Sequence, residues 1–98
     1  MEIVIKHDKE LIVSLKGRLD TTTSPLLEEK LKNENISEDV VILDFKELEY
    51  ISSAGLRVLL SLKKKLDAEK KNLEIHSIND VVKEVFEVTG FKNILNIK

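Results

Sequence analysis

Apolar residues mark the chain into short, punctuated segments. Ile3, Val4 and Ile5 lie within Glu2 to His7, and Leu11, Val13 and Leu15 recur at period two within Leu11 to Lys16. With the polar Asp8-Lys9-Glu10 between them, these stretches predict a β-hairpin, and Gly17 is expected to close its second strand. Residues 18 to 25 are polar, and Ser24 followed by Pro25 predicts a helix cap and first turn, because proline has no N–H to waste there. Leu26, Leu27 and Leu31 give that helix a narrow apolar stripe, which fades by Asn33 to Asn35. Val40, Val41, Ile42, Leu43 and Phe45 then form a nearly continuous apolar run, the pattern of a strand covered on both faces. Glu47 to Tyr50 is expected to be a connection with Leu48 and Tyr50 tucked inward.

From Ser53 onward, Gly55, Leu59, Leu62 and Leu66 share one helical face, with Leu56 and Leu60 beside them and Arg57, Ser61, Lys64 and Lys65 towards solvent. Leu73 and Ile75 alternate with Glu74 and His76 as a further strand. Asn79 or Ser77 can cap a third helix whose apolar face is Val81, Val82, Val85 and Phe86, and Gly90 suits its end. Ile94, Leu95 and Ile97 suggest a last edge strand. The order β-β-α-β-α-β-α-(β) predicts an α/β fold: a mixed, mainly parallel sheet with an N-terminal antiparallel hairpin and three main helices. In such a sheet the functional edge lies where strand ends meet helix starts, which gathers the loops around Asp20 to Ser24, Asp44 to Ser53 and Ser77 to Asp80.

Composition narrows the function more than the fold. The 98 residues form one domain, 1–98, able to bury roughly 65% of its extended surface. The chain has no cysteine, and its two histidines, His7 and His76, are far apart, so neither disulfides, thiol nucleophiles nor a metal centre are expected. A net charge of -2, with 35% charged residues, offers no concentrated positive face for nucleic acid. No apolar run is long enough for a membrane span, and the N-terminus lacks a signal-peptide core, which predicts a cytoplasmic protein with no membrane partner. Lys63-Lys64-Lys65 and Lys70-Lys71 read as a solvated helix face and its end. There is no glycine-rich phosphate loop, nucleophile elbow or triad, so neither enzymatic activity nor a cofactor is expected.

The chemically suggestive stretch is the strand-to-helix junction at Ser52-Ser53-Ala54-Gly55. A serine there is by default a helix cap, stabilising by about 1 kcal/mol. It also holds a hydroxyl beside unpaired backbone N–H groups at the positive end of a helix, a favourable place for a phosphate. Gly55 in the first turn fits either the close approach of a partner or tight packing on the sheet.

The run Leu48-Glu49-Tyr50-Ile51-Ser52-Ser53-Ala54-Gly55-Leu56, preceded by Val41-Ile42-Leu43-Asp44-Phe45, resembles the STAS domain of anti-sigma factor antagonists. Gly17-Arg18-Leu19-Asp20 and Val85-Phe86-Glu87-Val88-Thr89-Gly90-Phe91 resemble two further signatures of that family, so the similarity spans essentially the whole chain. The resemblance implies a STAS fold and a partner switch. The unphosphorylated protein binds an anti-sigma factor that is a serine kinase, and the sigma factor is released. Phosphorylation ends the complex, and a PP2C-type serine phosphatase reverses it. Aligned on Gly55 and Leu56, the phosphorylated position falls on Ser53. Many members carry aspartate immediately before it, where this chain has Ser52, which can cap the helix itself or offer a competing acceptor. The partner surface implied comprises Asp20, Thr21, Asp44, Ser52, Ser53, Ala54, Gly55, Leu56 and Arg57. Local readings exist beside it: Asp20 can bond turn amides, and Asp44 can end a strand. Two other functions share the fold: an unphosphorylated STAS subunit of a transporter or signalling assembly, and a small-ligand site, such as one for a nucleotide, at the same junction.

Overall fold

The computed structural model describes residues Met1 to Lys98. Strands β1 (Glu2–His7), β2 (Leu11–Leu19), β3 (Val40–Ile51), β4 (Asn72–His76) and β5 (Asn96–Ile97) form one sheet in the order β1-β2-β3-β4-β5. The β1–β2 pair is antiparallel and the other three pairs are parallel, as the element order predicts. Helices α1 (Ser24–Lys32), α2 (Ser53–Ala68) and α3 (Asp80–Thr89) make the crossovers, and a 3-10 turn at Phe91–Asn93 leads into β5.

The strand order rises monotonically, so every right-handed crossover steps the same way across the sheet and lays its helix on the same face. Leu27 and Leu31 of α1, Leu59 and Leu66 of α2, and Val82 and Phe86 of α3 accordingly join one core with the odd-numbered strand residues Leu11, Val13, Val41, Leu43 and Ile75. Phe45 and Phe86 pack with ring centroids 6.5 Å apart, fixing α3 on β3. β3 is therefore covered on one face only, not on both. Ile42 is buried yet lies outside the core cluster, screened on the helix-free face by the side chains around it.

Glu47 to Tyr50 is not a connection but the second half of a 12-residue strand. Between the pairs Ser14–Asp44 and Lys16–Glu47, β3 carries one residue more than β2, and it does so again between Gly17–Leu48 and Arg18–Tyr50. Each extra residue is a bulge that resets the alternation, so Phe45, Leu48 and Ile51 all reach the core at a spacing of three. Gly17, at φ +108, sits beside the second shift, and β2 runs on to Leu19 instead of closing at the glycine. β4 ends at His76, opposite Asp44, leaving the rest of β3 unpaired on that side. Asn79 fills the gap: its Nδ2 donates to Leu48 O (3.0 Å) and Glu49 O (3.3 Å), while its Oδ1 accepts from Val82 N (2.8 Å) and caps α3.

One helix boundary differs from expectation by a residue. α1 begins at Ser24, with Thr23 in the cap position, and the Ser24 hydroxyl is buried without a hydrogen-bond partner. Leu26, expected on the apolar stripe, is 55% exposed, as is Val81 on α3 at 51%. α3 does end at Gly90 in the left-handed conformation.

Candidate functional site

Because β2 and β3 are parallel and in register at Leu19–Ile51, the loop after one strand and the helix after the other emerge side by side. Ser52 N donates to Leu19 O at 2.9 Å, and the β2–α1 loop and the α2 start then diverge from this point. Ser52 takes extended dihedrals as the N-cap, and its Oγ accepts from Gly55 N at a long 3.5 Å. Ser53 is the first helical residue and is exposed. Its hydroxyl therefore projects to solvent beside the unpaired amides of the first turn, where a helix favours negative charge.

Asp20 organises the adjoining loop. Its Oδ1 accepts from Thr22 N (3.0 Å) and Thr23 N (3.1 Å), and Thr23 Oγ1 accepts from Asp20 N (2.9 Å) while donating to Arg18 O (2.7 Å). The Thr23 amide foremost, with the Thr22 amide, the Thr23 hydroxyl and Arg18, holds the Asp20 carboxyl below the usual aspartate range, against an opposing effect of burial. Arg18 in turn lies over the Tyr50 ring, 4.6 Å from its centroid, so the last turns of β2 and β3 are fastened across the strand pair. Thr21, Ser24, Ala54 and Arg57 meet in a shallow depression of about 180 Å³. Through Glu28 and Val58 it continues into a groove of about 360 Å³ between α1 and α2, floored by Leu31 and Leu62.

The structure thus brings Asp20, Thr21, Ser52, Ser53, Ala54 and Arg57 to one end of the molecule. Gly55 and Leu56, although adjacent in sequence, are buried beneath it. A Cβ on Gly55 would stand 2.8 Å from Ile51 Cγ1 and 2.9 Å from Leu19 Cγ, so the glycine answers to packing of α2 on the sheet. Asp44 is elsewhere. It lies within β3 on the helix-free face, opposite Ser14, five residues before the Leu19 that pairs with Ile51, so roughly 17 Å of strand separates it from the site. Its Oδ1 accepts from Lys46 N (3.0 Å), an amide inside the first bulge. The Ser77–Asp80 loop reaches the site only indirectly, through Asn79 on the β3 carbonyls. The Arg18–Tyr50 stack and the Asn79 bridge went unpredicted, since both depend on where the bulges place strand residues.

The site is a surface. The strand order never reverses, so the sheet has none of the crevice that such a reversal opens in doubly wound sheets. No group of histidine and carboxylate side chains is placed to hold a metal ion, and no helix is long and apolar enough to cross a membrane.

Comparisons with known proteins agree with this geometry. The STAS domain model matches residues 2–98. BtrV of Bordetella bronchiseptica is 38% identical over 93 residues, covering 94% of this chain and 80% of that protein. The anti-sigma-B factor antagonist of Staphylococcus aureus is 30% identical over 93 residues, covering 93% and 85%. Among solved structures, the anti-sigma factor antagonist SpoIIAA in its unphosphorylated form superposes with a TM-score of 0.84 at 17% identity, covering 99% of this chain and 88% of that one. A family match over residues 2–98, relatives at 30% identity or more covered over most of their length and a shared topology lead to one conclusion: the chain belongs to the STAS domain family of anti-sigma factor antagonists.

Proposed function

We propose that this protein is the phosphorylation-controlled antagonist of a partner switch. Unphosphorylated, it docks through the β2–α1 loop and the start of α2 onto an anti-sigma factor that is also a serine kinase, and the sigma factor is released. The kinase transfers the γ-phosphoryl group of its own ATP to the Ser53 hydroxyl, and a PP2C-type phosphatase removes it by hydrolysis. The observation that carries this reading is the exposed Ser53 hydroxyl at the first turn of α2, inside a surface ordered by Asp20, Thr23 and the Arg18–Tyr50 stack.

The added phosphate carries roughly -1.5 to -2 charges at pH 7. At the positive end of α2 that charge is tolerated by the folded chain itself. In a docked complex the same dianion would be desolvated against the partner, with Asp20 nearby. A loss of several kcal/mol is expected, about a thousandfold in affinity for each ~4 kcal/mol. Exclusion of the partner, not refolding, is the mechanism.

Incubation with ATP and the cognate kinase should add one phosphate to the peptide containing Ser52 and Ser53, read by mass spectrometry. Ser53→Ala should abolish it, and equal labelling of that variant would move the site to Ser52. Ser53→Asp should bind the kinase far more weakly than the wild type. Equal binding would discard the switch and leave an unphosphorylated STAS subunit of a larger assembly.

A further inference from the structure

The face of the sheet opposite the helices carries a pattern that the docking surface does not use. Side chains of the even-numbered residues of β1, β2 and β4 point there, in rows set by the strand register. One row runs Lys6, Ile12, Ile42, Glu74 across β1 to β4. The next runs Val4, Ser14, Asp44, His76. A third pairs Lys16 with Glu47, whose charged groups lie 3.8 Å apart. No helix packs here, and Val4 on β1 is left 53% exposed.

These rows are complementary to themselves. Consider a two-fold axis parallel to the strands, above the line between β2 and β3. It lays β2 of one copy over β3 of another, and β1 over β4. Lys6 then faces Glu74 of the second copy, and Ile12 faces Ile42. In the neighbouring rows Val4 faces His76, Ser14 faces Asp44 and Lys16 faces Glu47. Both lysines meet carboxylates, Asp44 meets a hydroxyl, and the half-buried Ile12 lies over Ile42, which its own neighbours already cover to 8% exposure. Stacked sheets about 10 Å apart, with strands nearly aligned, have this geometry. A two-fold contact of this kind is closed and stops at the dimer.

We propose that the helix-free sheet face is a homodimer interface, occupied by a second copy of this chain. The face measures roughly 20 by 15 Å from strand spacing and rise. That is small beside the ~1,000 Å² buried in persistent complexes, so the dimer is weak and forms with rising concentration. It leaves the start of α2 uncovered, and because the axis runs along the strands, the two Ser53 surfaces lie at the same end of the dimer, one on each outer side. The dimer depends on the sheet register and is independent of any phosphorylation.

Charge reversal gives the test, since it spares the core and alters the exposed Lys6 and the part-buried Glu74, whose Oε1 also bonds His76 Nε2 at 2.9 Å in its own chain. Sedimentation equilibrium on the full chain, from about 20 µM to about 1 mM, should show a monomer–dimer equilibrium. Lys6→Glu alone sets the introduced carboxylate against Glu74 at two places per dimer. Glu74→Lys alone sets the introduced ammonium against Lys6 at the same two places. Each should weaken dimerisation at least about tenfold, because like charges placed opposite one another oppose association. An equimolar mixture of the two single variants should recover the dimer, as should the double variant, since both arrangements restore opposite charges at both contacts. Wild type that stays monomeric at the top concentration overturns the proposal. So does a dimer indifferent to both reversals, which would use another face, or a mixture that gains no mass over its components.

Discussion

Replacing Gly55 with alanine sets two effects of known sign against each other. Glycine inside a helix costs about 0.8–1.0 kcal/mol relative to alanine, so the substitution is stabilising if only helix propensity acts. Against this, the new Cβ would lie 2.8 Å from Ile51 Cγ1 and 2.9 and 3.0 Å from Leu19 Cγ and Cδ2. Both neighbours are fully buried, with no solvent into which either could swing. Overpacking at such a site costs about 1–3 kcal/mol. The expected balance is a net loss of about 1 kcal/mol. With a urea slope of about 1–1.5 kcal/mol/M for a chain this size, the unfolding midpoint should fall by about 0.7–1 M. Ser61, exposed on the same helix, calibrates the first effect: the difference between Ser61→Gly and Ser61→Ala gives the propensity term in this helix. A Gly55→Ala midpoint that rises by as much as that difference predicts would mean α2 shifts freely on the sheet. The packing account of Gly55 would then be wrong.

Three further outcomes follow from hydrogen bonding and charge. Ser24→Ala should leave stability unchanged or raise it, because the buried hydroxyl has no partner, whereas a true cap would lose about 1 kcal/mol; urea unfolding decides the sign. Asn79→Ala should cost about 2 kcal/mol by removing both the α3 cap and the donor to β3, and Asn79→Asp about half that, since it keeps only the cap. His7 bonds Glu34 and Glu38, the latter through Nδ1 at 2.7 Å, and these bonds, Glu34 foremost, raise its pKa above the ordinary 6.5. The same contact with His7, foremost among its causes, holds Glu38 below the ordinary 4.5. The raised His7 contributes stability that is whole below pH 6.5 and lost as pH climbs through its folded value, while the Glu38 contribution is lost on acidification below 4.5. Unfolding midpoints should therefore decline from pH 6 to 8.5 in the wild type, and that decline should flatten in His7→Gln.

Much of this molecule is legible where side-chain period and backbone agree. The hairpin, the α2 face and the Asn79 and Gly90 ends of α3 are each written in one local signal, and the structure places them accordingly. The misreadings share a cause in β3. A bulge adds one residue and inverts the alternation after it, so Leu48 and Ile51 appear out of phase with Val41 and Leu43, and the stretch resembles a loop. The same error displaced Asp44, which looked like a strand end near the site and is instead deep in the strand, receiving a bulge amide. Ser24-Pro25 misled by one position because the loop is capped from behind, by Asp20 and Thr23, and no serine is needed there. Ile42 completed an apolar run that reads as a strand buried on both faces. Only the monotonic strand order reveals that one face has no helix.

That strand order also explains why this fold suits a docking protein. With all helices on one side, the core is fixed by Leu19, Ile51, Gly55 and Leu56 directly beneath the Ser53 surface. The loop above is tied by its own Asp20 carboxylate and by Ser52 N on Leu19 O, contacts that a phosphate on an outward-facing Ser53 would leave intact. On the proposed function, the free energy of phosphorylation then falls almost wholly on the interface with the partner and little on the fold. A switch built this way needs no second conformation. The amide chemical shifts of phosphorylated protein should change around residues 18–24 and 50–58 and remain fixed in β1, β4 and α3. Shifts spreading through the core would point instead to a conformational mechanism.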